Sequence, residues 1–429
     1  MNNTTKTFCK TTLAAALLLE LTVGAQAAII NVDNSSCLLA DAITAANNDE
    51  ATPGCSTGNG DDVIELPTDS TITLSEALPA IINNVTINAN GSTITRDQAA
   101  AEFSIIQVGS IDYIDNLPTL VLNDATITGG SRANNLGGGI STLDASLILN
   151  DSIISNNTGG GLTLSRFNSS EINRSVISYN QSSAVGFLYG AAISASSGNL
   201  TISNSTIANN TSNSGLGGAG IYASNYYGAL NLGIYNSTIS SNTATFDGAG
   251  IFHYDFNQFT STVSVVASTI TNNQSQSNGG GIYNDSADFT VSQTLISGNT
   301  ASSNGNEINS TGGTFILNDY NLIGLNNSNG STGITIGATD IVPTQSNLSD
   351  IIETTLADNG GTTPTHKLTL NSPAVDAINP ANCATTSDQI GNTRGNDGNG
   401  DQVNGCDIGA VELQAAQDDL IFMNGFETN

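Results

Sequence analysis

An all-β fold, a right-handed parallel β-helix, is what the sequence predicts, on three observations. The first is a phrase that recurs between residues 120 and 323 as NDATIT, NDSIIS, NRSVIS, SNSTIA, YNSTIS, VASTIT, SQTLIS and DYNLIG. Its isoleucines, Ile127, Ile154, Ile177, Ile207, Ile239, Ile270, Ile296 and Ile323, are 23 to 32 residues apart, a period that marks stacked coils. The second is alternation. Five residues before these isoleucines stand Leu122, Leu149, Ile172, Ile202, Ile234, Val265 and Val291, and two places earlier Leu147, Leu200, Leu232 and Val263; spacing by two is a strand with one buried face. The third is a glycine-rich approach to another apolar residue, ending at Ile140, Leu162, Ile193, Ile221, Ile251 and Ile282. Each coil is therefore expected to hold three short strands and three turns.

The parity of the apolar positions switches between the first and second strands, so the chain must turn there. The residues at the switch include Asp151, Asn204 and Asn236, each followed by Ser, and these are turn formers. Three places after the isoleucines come Asn157, Asn180, Asn210, Asn242, Asn273, Asn299 and Asn326, with Gly130 in the first rung. Asn tolerates the left-handed conformation, and stacked carboxamides bond along a stack of strands, so an internal asparagine ladder is expected. The right-handed sense follows from the crossover rule. Sparse Leu, Lys, Glu and Arg periodicity excludes a coiled coil. The weaker VTINANGSTIT at residues 85–95 adds an earlier rung.

The 429 residues include 37 acidic and 8 basic ones, for a formal net charge of −29, with 45 Gly and no Trp. Such a surface repels phosphate backbones, which argues against a nucleic-acid partner. Lys6 and Lys10, the apolar run 11–19 and the A-x-A at Ala25, Gln26 and Ala27 read as a cleaved export signal over residues 1–27. No other stretch has the length of a membrane span, so no transmembrane segment is expected, and the product belongs outside the cell or on its surface. Besides Cys9 in the leader, the chain has Cys37, Cys55, Cys383 and Cys406. Three pairings are possible; an elongated solenoid in an oxidising compartment favours Cys37 with Cys55 and Cys383 with Cys406. The rival is a metal site, with neither C-x-x-C spacing nor His253 or His366 nearby in sequence.

After the leader, residues 29–32 read as a strand and Ser35 or Ser36 as the cap of a short helix. Leu39, Ala42, Ile43 and Ala46 share one face of that helix, which would cover the open end of the solenoid. The run CLLADAITAAN at 37–47 resembles the C-S-L-R-E-A-I-x-A-A-N box at the N-terminus of bacterial secreted β-helix proteins, departing at Ala40 and Asp41 where that box has Arg and Glu. GDDVIELP, ITL and IINNVTI resemble that family's entry into the solenoid. The rung phrases resemble the repeats of polymorphic outer-membrane proteins, which pair G-G-A-I with F-x-x-N; here GGGI or GAGI goes with I-x-x-N. This resemblance implies a fold and no activity.

Two later phrases, LADNGGTTPTHKLTLNSPAVDA and DQIGNTRGNDGNGDQVNGCDIGAVE, resemble the terminal segment of the choice-of-anchor Q family of exported β-helix proteins. The tail DDLIFMNGFE resembles an I-F-x-x-G-F-E ending of exported bacterial proteins, which implies sorting or anchorage. The expected organisation is an export signal (1–27), an N-terminal cap with first coils (28–119), β-helix repeats (120–326), a C-terminal β-rich cap segment (327–413) and a tail (414–429).

Candidate chemistry is sparse. A polysaccharide lyase needs a cation beside its uronate, and after the leader only Arg96, Arg132, Arg166, Arg174, Lys367 and Arg394 are available; Arg166 and Arg174 are the pair that would share a face. A glycoside hydrolase needs converging carboxylates, yet Asp124 and Asp151 read more simply as turn caps. His253 beside Asp255 has the form of a general base, with no nucleophile in register. Asp397, Asn399 and Asp401 follow the alternation of a calcium loop, but Gln402 replaces its glycine. Calcium is the one cofactor the sequence suggests.

The aromatics are the strongest signal. Tyr222, Phe252 and Tyr283 each follow the inward residue of the third strand and should point outward and stack from coil to coil. With Tyr226, Tyr227 and Tyr254 they are expected to form an exposed stripe able to stack on sugar rings; the simpler reading is cross-strand stabilisation. The sequence thus points first to a non-catalytic exported scaffold for adhesion or glycan binding, and second to a polysaccharide lyase or glycoside hydrolase.

Overall fold

The computed structural model describes residues 27–109, 117–132, 137–182, 190–213, 215–256 and 259–414. Residues 1–26 of the expected leader and the tail from 415 lie outside them. The fold is a parallel β-helix. One sheet of eleven strands runs from Ile29–Asn31 to Phe315–Leu317, a second of ten from Thr71–Leu74 to Leu322–Ile323, and a third of eight from Ile106–Val108 to Ile308–Ser310. All strand pairs within them are parallel and join one coil to the next. The recurring isoleucines stack in register, Ile207 on Ile239 and Ile239 on Ile270, and all are fully buried. Five coils carry one strand more than expected. Two-residue strands from Gln181–Ser182 to Thr300–Ala301 form a fourth sheet just after the ladder asparagines.

The turn between the first and second sheets is left-handed in successive coils, with φ from 45° to 52° at Asp124, Asp151, Arg174, Asn204, Asn236, Ala267 and Gln293. Arg, Ala and Gln are poor choices for that conformation, so the stacked neighbours impose it. The residue after each turn forms a second column that the sequence reading took only for turn formers. Ser152, Ser175, Ser205, Ser237 and Ser268 are buried. Each hydroxyl accepts from the backbone of the preceding coil and donates to a carbonyl of its own, as Ser205 Oγ does with Ser175 N (3.1 Å) and Ser203 O (2.7 Å).

The internal asparagine ladder is present. Asn180 Oδ1 accepts from Asn157 N and Nδ2 (3.1 and 3.0 Å), and the pattern repeats through Asn210, Asn242, Asn273 and Asn299. Each Nδ2 also reaches an isoleucine carbonyl, as Asn242 does with Ile207 O (3.0 Å). Gly130 N starts the column on Asn157 Oδ1 (2.9 Å). Two expectations are corrected. The left-handed residue is not the ladder Asn but the one before it, as at Asn156, Tyr179, Asn209, Ser241 and Asn272, which frees the ladder Asn to turn inward. Asn326 is exposed and stands outside the column, which stops on Glu307 instead.

The glycine before the third strand follows from this ladder. A Cβ at Gly220 would lie 2.4 Å from Gly250 O and 3.2 Å from Asn242 Nδ2, so the close approach of backbone to carboxamide excludes a side chain.

The N-terminal helix is Leu39–Asn48, and Leu39, Ala42, Ile43 and Ala46 are buried in one core with Ile30 and Ile64 of the first coils. Ser35 and Ser36 do not cap it. Their backbone N–H groups and that of Cys37 donate to Asp33 Oδ1 (2.8, 2.7 and 3.0 Å), and these donors, with the Ser36 hydroxyl first, hold the Asp33 carboxyl well below its usual range. Both expected disulfides form, with Cα separations of 4.7 Å for Cys37–Cys55 and 6.0 Å for Cys383–Cys406.

The C-terminal segment departs most from expectation. Past Ile323 its described β structure is confined to isolated bridges, with short 3-10 turns at Leu348–Asp350 and Pro380–Asn382. Ile334 and Ile336 pack at the end of the solenoid, but the rest lies along the outer face of the second sheet as a strap. Thr206 Oγ1 donates to Pro364 O (2.6 Å), Thr238 Oγ1 to Gln389 Oε1 (2.6 Å), and Ala410 N to Thr269 Oγ1 (3.0 Å). Ile351, Ile352, Ile378 and Ile408 close a second apolar core with Leu295 and Leu322.

Asn242→Ala strips the acceptor from Asn210 N and Nδ2 and a donor from Ile207 O and Asn273 Oδ1. With buried polar groups left unpaired, it should lower stability by about 3 kcal/mol, read from urea unfolding; a loss within about 0.5 kcal/mol would contradict the ladder's role.

Candidate functional site at the aromatic corner

The coil turns from the third sheet back to the first through a corner that carries the aromatic residues. Tyr222, Phe252 and Tyr283 stack in successive coils as expected, with ring centroids 5.6 and 5.3 Å apart. Their exposure is corrected. Tyr222 and Phe252 are fully buried and Tyr283 is half-buried, so these rings support the sheet and offer no open stripe.

The accessible part lies further along the corner. Tyr226 and Tyr227 are 43% and 46% exposed and meet edge to face at 4.7 Å. Tyr226 also meets Phe256 (4.8 Å), Phe256 meets Tyr254 (4.8 Å), and Tyr254 stacks near Phe252 (6.1 Å). A continuous aromatic path thus runs from the buried stack to the surface. Phe256 is its missing link, which no periodicity marked, because it sits in the turn beyond the strand. Edge-to-face packing fixes such rings at little entropic cost.

The ionisable candidates are largely consumed by structure. Arg166 pairs with Asp144 and lies 5.3 Å over the Tyr227 ring. Arg174 makes two bonds to Asp151, at 2.7 and 2.6 Å, which raise its pKa. The two arginines stand at opposite ends of the strand Ser169–Asn173 and do not converge. Arg96 donates to Gly129 O (3.0 Å) and Arg132 to Ser104 Oγ (3.0 Å). His253 is fully buried between Ala223 and Asn284, where burial pushes its pKa down to about 4, so it is a neutral interior residue whose ring no solvent-borne substrate reaches.

Arg394 is buried within the strap. It donates to Gly409 O (2.7 Å) and Asp407 O (3.1 Å) and pairs with Glu412 (3.4 Å). Glu412 accepts in turn from Gly395 N and Asp407 N (2.7 and 2.9 Å). Burial and the nearby Glu412 push Asp407 up to about 8. Cys406, Asp407 and Glu412, from the CDIGAVE end of the second C-terminal phrase, therefore knit the strap together.

Asp397 and Asp401 come together as the calcium reading requires, and Asp376, which that reading missed, joins them: carboxylate oxygens of the three lie within 4.8 Å of one another. Oxygen ligands at that spacing suit a hard cation. Asn399 Oδ1 accepts from Asp401 N (2.9 Å) and orders the loop. Asp376 is raised by partial burial and by Asp397 and Asp401, against the donors Gly398 and Asn399.

Glu307 was not anticipated. It accepts from Gly298 N (3.0 Å), Asn299 N (3.2 Å) and Asn299 Nδ2 (2.6 Å), and burial outweighs these donors, pushing it up to about 8. It lines a cleft of about 480 Å³ with Asn272, Thr300, Asn306, Leu325 and Thr354. Among the described residues no second acid lines that cleft, so they do not assemble the carboxyl pair of a glycoside hydrolase there.

No family model matches the chain, and no curated protein and no solved structure matches it.

Two measurements check this site. Glu307 is protonated in the fold and ionised in the unfolded chain between about pH 4.5 and 8, so its contribution to stability is complete below that window and falls as pH rises through it. Wild-type stability should therefore decline more steeply than that of Glu307→Gln from pH 5 to 8; parallel curves would refute the assignment. Calcium at the Asp376, Asp397 and Asp401 cluster should raise the unfolding temperature of the wild type and leave Asp397→Asn/Asp401→Asn unmoved, whereas equal shifts would exclude that cluster.

Proposed function

We propose that this β-helix is an exported, non-catalytic scaffold that offers its aromatic corner to glycans. The observation that carries the reading is the exposed Tyr226 and Tyr227 pair, held edge to face on Phe256 and the buried stack beneath. Rigid, half-exposed rings present apolar faces at low ordering cost, which is what the apolar face of a sugar ring needs. The two disulfides support an oxidising compartment, and the strap carries the two phrases that resemble the choice-of-anchor Q group. No helix among the described residues is long and apolar enough to cross a membrane. The lyase or hydrolase reading gains no support from paired arginines and a cleft with one acid.

On a polysaccharide panel the wild type should be retained by at least one polymer, and Tyr226→Ala/Tyr227→Ala should lose that retention while unfolding at the same temperature. Retention that survives the double substitution, or release of reducing sugar during the assay, would overturn the proposal.

A further inference from the structure

The charge around the aromatic corner narrows the class of sugar it takes. Asp255 stands between Tyr254 and Phe256 in sequence, and its carboxylate accepts from Asn225 Nδ2 and from Ser286 Oγ. Asp255 N donates to Asp285 Oδ2 (3.2 Å), which brings a second carboxylate to the same turn of the next coil. Asp247 and Asp285 both act on the Tyr283 hydroxyl and help to hold its pKa up, after burial. Asp144 is the fourth acid, and the one cation found among these described residues, Arg166, is neutralised by it.

Asp255 and Asp285 put two carboxylates in the turn that carries Tyr254 and Phe256, the latter packed on Tyr226, a setting that disfavours uronates and sulfated sugars and favours a cation. An ammonium over a tyrosine face is attracted by the negative face of the ring, more strongly where water is excluded. Arg166 over Tyr227 already shows one ring of the corner accepting a cation on its face. The net charge of −29 adds long-range attraction for a polycation, screened by salt.

Resting on the glycan reading above, we infer that the corner binds polymers of amino sugars carrying free ammonium groups. The sugar ring packs on Tyr226, while ammonium groups of neighbouring units lie toward Tyr254 and the carboxylates of Asp255 and Asp285. N-acetylation removes the charge and keeps the ring, so the two contributions separate cleanly.

Binding is measured by calorimetry at pH 6 with a glucosamine hexamer, an N-acetylglucosamine hexamer and polygalacturonate, at low and high salt. The glucosamine hexamer should bind roughly 10-fold more tightly than its acetylated form, about the ratio that 1.4 kcal/mol provides. Salt should weaken it, polygalacturonate should not bind, and Tyr226→Ala/Tyr227→Ala should lose most of the affinity. Equal affinity for both hexamers would overturn the ammonium inference and leave the glycan platform standing. Glucosamine binding untouched by the double substitution would show general attraction to an acidic surface and overturn it as well. No binding of any of the three would sink the inference, and the broader panel would then decide the glycan reading separately.

Discussion

A narrow solenoid forces backbone and side-chain polar groups into its interior, and those groups must be paired because unpaired burial is expensive. Here the pairing is done by amides aligned in one direction. Every carboxamide from Asn157 to Asn299 donates toward the C-terminal end and accepts from the N-terminal side. Such a column ends with spare N–H groups, which only an acceptor can satisfy. Glu307 supplies two oxygens and meets three donors there.

The same logic operates on the outside of the first sheet, in the opposite direction. Asn173 donates to Asn150, Asn150 to Asn123, Asn123 to Asn88, and Asn88 to Glu65 Oε1 (3.1, 2.9, 2.8 and 2.6 Å). Two antiparallel amide columns thus each finish on a glutamate. The chain uses a carboxyl group where the amide acceptors run out, which explains why two of its few glutamates occupy these positions.

The coil architecture was legible because its causes are periodic. An isoleucine column, an asparagine column and a glycine demanded by that column repeat at the same phase, so each reinforces the others. The outer ladder was equally visible, since Asn123, Asn150 and Asn173 stand four places before the recurrent isoleucine, but its meaning required knowing which face they share. The strap was not legible. Its contacts join residues about 150 apart, such as Thr238 with Gln389, and nothing in a local pattern selects a partner at that distance. Exposure at the aromatic corner failed for a related reason: alternation shows that Tyr222 leaves the core, and cannot show that the outer surface there is covered. Asp376 escaped the acidic loop because it arrives from another segment.

The strap also fixes which side of the molecule is spoken for. Ala410 of the strap donates its N–H to Thr269 Oγ1 on the second-sheet flank. In a three-sided coil the corner joining the third and first sheets is the edge across from that flank. With the strap laid along that flank, the outer face of the second sheet is closed to a partner over these coils, and Tyr226 and Tyr227 stand on the ridge across from it.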